Sequence, residues 1–458
     1  MPPTLDPHTH AIVPHPGEWP VDPQEDQPIR HDRLWIDGCF DFFHHGHTGV
    51  MLQSRRLGAS LLVGLHTDEE IAANKGPTVM SLAERVAAVD ACRFATQCIP
   101  RAPYVTSLAW ISHYGCWFVT HGDDITSDAN GEDCYRFVKE AGRMKIVRRT
   151  EGISTTDLVG RMLGASKEHF IKSLPAVLEG QEGRERMKET PTEMKRRIEE
   201  YAAAEDGLDS WVQVYSFEDS AQQQNGHAGS TTPLVSLVSG QPPRPGQRIV
   251  YVDGSFDLFS SGHIAFLETT TALEHAHAEA RNWYDASAAA SRIAQTGSDY
   301  GPAYIIAGLH SDAVVNAHRG VNYPIMNIYE RGLCAIQCRY VHSVILSAPI
   351  IPTKEYLSSL PTGLPDVVYH GPTSFLPTPT DPYADAKSLG IFQQVGPHRF
   401  QDVDSAQIVQ RILDKREEYE ARQRKKGIKA VGEEAARREE MEREAEAKAK
   451  LSNGKAAS

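Results

Sequence analysis

His44 and His47 bracket Gly46 in the run DGCFDFFHHGHTGV. Imidazoles at a helix start can donate to phosphate oxygens, and to a bridging oxygen that gains charge as it leaves. The unpaired N–H groups and positive dipole end of such a helix favour the same anion. Further on, Lys75 precedes a Gly-Pro turn in KGPTVMSLAERV, an ammonium on a loop from which it can reach triphosphate oxygens as a point charge. A third cluster, RRTEGISTTDL, sets Arg149, Ser154, Thr155 and Thr156 around Gly152 before another helix and forms a second phosphate seat. Singly, each has a plain structural explanation: a chance loop, a solvated lysine, a capped helix. Together they suit nucleotidyl transfer, which asks for alignment and charge neutralisation more than covalent participation. No Ser-His-Asp order, G-x-S-x-G elbow or G-x-x-x-x-G-K-[ST] loop is visible, so hydrolase and P-loop chemistry lose weight.

These groups need a scaffold that delivers them to one edge. The apolar runs LWIDGCF, SLLVGLH, CWFVTHG and KIVRRTEG alternate with helix-like stretches such as TGVMLQSRRLG and SLAERVAAVDACRFA. That alternation predicts βαβ units and a parallel sheet, with ligands at the carboxyl ends of its strands. The pattern then returns. DGSFDLFSSGH answers DGCFDFFHHGH, GLHSDA answers GLHTDE, YERGLCAIQCRY answers AERVAAVDACRF, APIIP answers APYVT, and VVYHG answers FVTHG, in the same order. The second copy carries EHAHAEARNWYDASAAASRIAQ as an insertion near 271–298. The expected fold is α/β, with two tandem Rossmann-like domains on parallel sheets and a charged helical or disordered tail. The expected boundaries are a disordered leader over 1–30, a catalytic domain over 31–165, a helical segment and polar linker over 166–246, a degenerate domain over 247–413, and the tail over 414–458.

The second copy departs from the first. Ser260 stands where His44 does, with Ser255 and Phe256 before it and His263 retained; Arg319 takes the place of Lys75. HGDD becomes HGPT from His370, and HRFQDVDSAQIV replaces the arginine-containing signature. This predicts a catalytically impaired half that binds nucleotide or braces the first.

Composition narrows the field. With 458 residues, 40% hydrophobic and 23% charged, the chain is of ordinary globular type and long enough for two or three domains. A net charge of −13 disfavours a broad grip on nucleic acid or anionic membrane. The 7 cysteines form no C-x-x-C pair, so a disulfide framework or structural zinc is not expected. The proline-rich start lacks a signal-peptide layout, and no run approaches the ~18 apolar residues of a membrane span. The tail lacks an apolar face. A cytoplasmic protein without integral membrane contact is expected.

The H-x-G-H loop, K-G-P turn, E-R-V…C-R helix, A-P-Y-V-T segment, H-G-D-D loop and R-T-E-G-I-S-T-T, in this order, resemble the cytidylyltransferase family, strongly over 32–165 and weakly over 247–413. The duplication resembles the branch whose acceptor is phosphoethanolamine. The phosphocholine branch carries one catalytic domain followed by an amphipathic lipid-sensing helix, which this chain lacks. The resemblance implies that CTP and phosphoethanolamine give CDP-ethanolamine and pyrophosphate, a step of phosphatidylethanolamine synthesis, with Mg²⁺ and no organic cofactor. It implies catalytic roles for His44, His47, Lys75 and Arg149. Cys39, Phe40, Thr150, Gly152, Ile153, Ser154 and Thr155 would join them in binding CTP. Asp37, Tyr104 and Asp123, on matching loops, are candidates for the acceptor ammonium, which needs a carboxylate or aromatic face. No protein metal ligands are expected, and a homodimer is left open. The competing readings are the same chemistry on phosphocholine or glycerol 3-phosphate, or a non-catalytic nucleotide-binding regulatory protein.

Overall fold

Leu34, Trp35, Ile36 and Asp37 are buried in succession, covered on both faces as a central parallel strand must be. The computed structural model describes residues 5, 13–15, 17–124, 126–164, 167–182, 189–217, 234–373, 378, 380–421 and 424. In it that run belongs to β1 (Arg30–Gly38), which pairs with β2 (Ser60–Leu65) on one side. Outside β2 lies β3 (Gln97–Pro100), and on the other side of β1 come β4 (Cys116–Gly122) and β5 (Met144–Val147). The order is β3-β2-β1-β4-β5, with every pairing parallel.

The second sheet draws on β6 (Gln213–Phe217), β7 (Leu234–Val238), β8 (Arg248–Gly254), β9 (Ala303–His310), β10 (Ser343–Ala348), β11 (Val367–His370) and β12 (Phe392–Gln394). Its order is β12-β11-β8-β9-β10-β6-β7. From β12 to β10 this is the first sheet's order again, and β6 and β7 extend it beyond β10. The pairing of β7 with β6 is antiparallel.

A pair of arginines, Arg93 buried and Arg339 half-buried, joins the copies about a pseudo-twofold axis. Cys92 and Cys338 face each other in an antiparallel bridge. Arg93 N–H donates to Gln337 O and Arg339 N–H to Ala91 O, each at 2.9 Å. The Arg93 guanidinium donates to the carbonyls of Ala203 (3.3 Å), Ile336 (3.1 Å), Cys338 (2.8 Å) and Val341 (2.8 Å). Arg339 reciprocates onto Cys92 O at 3.0 Å and Ala95 O at 2.7 Å. Burial pushes Arg93 down to about 10, so it stays charged at neutral pH. Around this seam the helix Ile328–Ile336 packs on the helix His45–Arg55, and the helix Leu82–Asp90 on the helix Ser261–Ala280.

Two expectations are corrected. The leader is not free over its described second half: Trp19 is buried and stacks on His113 with centroids 3.7 Å apart, and Asp26 Oδ1 lies 2.8 Å from His113 Nδ1. One large aromatic side chain outweighs the local proline-rich composition. The segment 166–246, expected as helix and polar linker, also contains β6 and β7, rich in β-branched and aromatic residues (QVYSF and LVSLV); β6 satisfies the edge of β10, and β7 that of β6. The inserted stretch lengthens one helix to Ala280 and adds the helix Ala286–Thr296. Of the tail, the unit from Gln410 onward shows helical turns with an Arg416–Glu420 pair at 2.7 Å. Its residues 425–458 lie outside the described residues.

Arg93→Ala strands four carbonyls at the seam, and is expected to cost about 3 kcal/mol. Urea unfolding followed by tryptophan fluorescence checks this; an unchanged midpoint would show that the seam does not depend on this side chain.

Candidate active site

The helix His45–Arg55 starts where β1 ends, and its N-cap is His44. His44 Nδ1 accepts from Gly46 N–H at 3.1 Å, and His44 N–H turns to His47 Nδ1 at 3.4 Å. Histidine thus takes a place usually held by Ser, Thr, Asp or Asn. With both Nδ1 atoms accepting, the hydrogen-bond pattern assigns each ring's proton to Nε2. The two rings stack at 4.0 Å and 20°. Burial, with His47, His45 and Arg149 nearby, pushes His44 well below the ordinary imidazole range, so this ring is neutral. Its Nε2 is shut off from solvent and has no hydrogen-bond partner among the described residues. An unsatisfied buried donor costs about 1–3 kcal/mol, which an anionic oxygen would recover. The intervening residue must be glycine, because a Cβ on Gly46 would lie 2.8 Å from His44 Nδ1 and 3.0 Å from Ile153 Cγ2.

Two buried charges lock this loop to its neighbours. The Asp41 carboxylate accepts from Val79 N–H and Met80 N–H, both at 3.0 Å, tying down the segment beyond Lys75. The Arg85 guanidinium donates to Cys39 O (2.8 Å), His66 O (2.8 Å), Met80 O (3.3 Å) and Asp68 Oδ1 (2.7 Å). Both residues were missed among the sequence candidates, yet the internal repeat carried the signal. Asp257 accepts from Ile325 N–H at 2.8 Å and Met326 N–H at 2.9 Å. Arg331 donates to Met326 O (3.0 Å), His310 O (2.8 Å) and Asp312 Oδ1 (2.7 Å).

The other expected residues divide between two sides. Phe40 meets the His47 ring edge-on at 5.4 Å, and Cys39 contributes its carbonyl to Arg85. Lys75 ends the helix Asp68–Lys75 with its ammonium 5.6 Å from the Tyr104 ring centre. Asp37 is buried and accepts from Trp35 Nε1–H (2.8 Å), Thr106 O–H (2.7 Å) and Tyr135 O–H (2.7 Å). Tyr135 was also missed; it recurs in the second copy as Tyr383, in DCYRFVKEAG against DPYADAKSLG. Asp123 is exposed, and its carboxylate accepts from Arg149 N–H at 3.1 Å, which puts it on the Arg149 loop.

On that second side, Arg149 and Thr150 line a cavity of about 360 Å³ together with Gln53 and Tyr201. Gly152 and buried Ile153 lead to Ser154, which caps the helix Thr155–Leu163 by accepting from Asp157 N–H at 3.1 Å. Thr155 O–H reaches Asp41 O at 3.4 Å, so this loop closes on the His44 segment.

The second domain braces the histidine loop. Arg161 makes a two-pronged pair with Glu330 at 2.7 and 2.8 Å. Burial pushes the His45 imidazole down to about 3, against the opposing charge of Glu330. Its ring centre lies 6.3 Å from that of Tyr329, and its carbonyl accepts from Tyr201 O–H at 2.6 Å.

In the second copy Ser255, Phe256, His263, Arg319 and His370 line a single cavity. Ser260 is tied off, donating to Val403 O at 2.6 Å. A Cβ on Gly262 would lie 2.5 Å from Val403 O and 2.7 Å from Phe400 O, so carbonyl oxygens crowd this helix start. Arg319 pairs with Asp404 at 3.2 Å.

A parallel sheet that ends at paired histidines and a basic, hydroxyl-rich loop defines a nucleotidyltransferase, and a family model described as cytidylyltransferase-like matches residues 35–161. Ethanolamine-phosphate cytidylyltransferase from Mus musculus is 38% identical, covering 87% of this chain and 90% of its own length. The protein of that name from Dictyostelium discoideum is 36% identical, over 87% of this chain and 95% of its own. Choline-phosphate cytidylyltransferase A from Rattus norvegicus is 38% identical over only 29% of this chain and 36% of its own. The chain belongs to the ethanolamine-phosphate cytidylyltransferase family.

Asp41→Ala removes the acceptor for two buried amides. Amide exchange at Val79 and Met80 is expected to speed up roughly 30-fold, equivalent to about 2 kcal/mol of protection. Unchanged exchange by mass spectrometry would remove Asp41 as the lock.

Proposed function

We propose that this protein transfers a cytidylyl group from CTP to phosphoethanolamine, giving CDP-ethanolamine and pyrophosphate. The observation that carries the site assignment is the His44 Nε2–H donor, buried without a partner beside the stacked His47 ring. A phosphate oxygen supplies the missing acceptor. Both Nε2–H groups then favour the charge that develops on the α-phosphoryl oxygens and on the bridging oxygen.

An oxygen of the acceptor's phosphate attacks the α-phosphorus in line. One P–O bond forms, the α–β bridging bond breaks, and its electron pair leaves with pyrophosphate; no covalent bond to the enzyme is required. Lys75 holds the triphosphate on one side and Arg149 on the other, with Thr150, Gly152, Ile153, Ser154 and Thr155 supplying the second phosphate seat. Cys39 and Phe40 lie against the nucleotide at the end of β1. Mg²⁺ arrives with CTP as part of the substrate, held by phosphate oxygens and water, its usual ligands beside one or two carboxylates. Among the described residues no group of three or more His, Cys, Asp or Glu could hold an ion.

Asp37 suits the acceptor's ammonium. Two donors occupy Oδ2 and one occupies Oδ1, which leaves a lone-pair site for a further N–H. A primary ammonium can donate there, whereas a quaternary one carries no N–H. This supports phosphoethanolamine over phosphocholine. One observation supports a cytoplasmic setting: none of the seven cysteines is in a disulfide.

His47→Ala is expected to lower kcat by about 10²-fold or more in a pyrophosphate-release assay with CTP and phosphoethanolamine. Near-normal turnover would remove the assigned role. In the same assay kcat/KM should rank phosphoethanolamine above phosphocholine and glycerol 3-phosphate, and Asp37→Asn should raise KM for phosphoethanolamine more than it lowers kcat. Equal kcat/KM for the three acceptors would overturn the acceptor assignment.

A further inference from the structure

At the strand ends of the second sheet lies a cavity of about 230 Å³. That is below the range of about 300–1,000 Å³ usual for drug-sized ligands and is of a size to take a small metabolite. Asp253 and Tyr383 line one part of it, and His263, His318, Arg319 and His398 another.

The Asp253–Tyr383 pair repeats the Asp37–Tyr135 pair, with Tyr383 O–H donating to Asp253 Oδ1 at 2.6 Å. The other two donors do not recur. Trp35 is replaced by Tyr251, whose hydroxyl pairs with that of Tyr356 at 3.2 Å. Thr106 is replaced by Pro352, which has neither a hydroxyl nor an N–H to offer. Asp253 Oδ2 therefore has no hydrogen-bond partner among the described residues. Burial raises this carboxyl to about 7, the mark of a polar group set in a poorly solvated wall.

The histidine end has changed in the opposite sense. His263 keeps the tautomer of His47, because its Nδ1 accepts from Ser260 N–H at 3.1 Å and its proton falls on Nε2. Burial pushes this imidazole down to about 4, so it is a neutral donor. The place of the buried His44 donor is taken by Ser260, already committed to Val403 O. The carbonyls of Phe400 and Val403 close on Gly262 and narrow the space at this helix start. What survives is a recess with an acceptor for an N–H group at one part and, at another, one imidazole N–H donor and the Arg319 guanidinium, which already pairs with the Asp404 carboxylate of the same lining at 3.2 Å and keeps its other N–H groups for a ligand.

We propose that this cavity is a second, non-transferring site for a small phosphomonoester that carries a primary ammonium. The ammonium donates to Asp253, and the phosphate takes His263 Nε2–H and Arg319. Choosing phosphoethanolamine as the probe rests on the acceptor reading above. The site itself rests on Asp253, Tyr383 and the volume of the recess.

Equilibrium dialysis of the full chain against phosphoethanolamine without CTP, at about pH 8 so that Asp253 is ionised, tests this. The wild type is expected to bind about two equivalents. Asp253→Asn should bind about one, and that remaining equivalent shows that the chain is folded. Asp37→Asn should keep the equivalent that depends on Asp253, and Arg319→Ala should weaken it about tenfold. One equivalent in the wild type, or two in Asp253→Asn, would overturn the proposal. So would inorganic phosphate alone filling the second site as tightly as phosphoethanolamine, since no ammonium would then be recognised. Failure of cytidylyl transfer alongside two bound equivalents would sink the proposed reaction and leave this site standing.

Discussion

A guanidinium without access to water sets the active loops in register. Burying a charge costs several kcal/mol unless every donor finds an acceptor. Arg85 meets that condition only when the ends of β1 and β2 and the loop beyond Lys75 all close on it, through Cys39 O, His66 O and Met80 O, with Asp68 beside them. The closure forces Phe40 and Phe42 to φ values of 52° and 47°, a conformation costing about 1–3 kcal/mol per residue. The strain is held because Asp41, between them, receives two amides from the same loop. Phe256 and Leu258 repeat it at 47° and 59° around Asp257. The duplication has thus kept the device that gathers the loops even where the gathered groups have changed.

The central strands were legible in the chain because unbroken apolar runs have few alternatives to a covered parallel sheet. Repetition made the second sheet's inner order readable from the first. What escaped notice depended on partners distant in sequence. Trp19 sits in a proline-rich stretch that reads as mobile until His113 and Trp110 are placed against it. β6 and β7 flank a polar run, and their strand character rests on the edge offered by β10. At the site, His44, His47 and Arg149 stood out because their chemistry is unusual at those spacings. Tyr135 and Arg85 have common residue types, and only comparison of the two copies singles them out. Asp123 looked like an acceptor-binding carboxylate by loop position, but one backbone amide, that of Arg149, sets its place.

The copies differ in the sign of the dipoles facing the helix start. In the first, the helix start carries an imidazole N–H of His44 without a partner among the described residues, which suits an anion. In the second, two carbonyl oxygens crowd Gly262 and the serine hydroxyl is spent on one of them.

The pseudo-twofold seam brings the altered copy against the histidine loop of the first. It sets the helix Ile328–Ile336 against the helix that carries His45 and His47, as Leu82–Asp90 is set against Ser261–Ala280. Glu330 serves both copies: it accepts from Asn327 N–H at 2.9 Å within its own domain and holds Arg161 of the other. Its counterpart Glu84 caps Ser81 in the same way and shares a small crevice with Ser261, where no imidazole requires support. His45 does require it, since a buried neutral ring between His44 and Gly46 fixes the path of the backbone that aims both Nε2–H groups. The histidine loop of the first domain is therefore held in part by a surface of its duplicate.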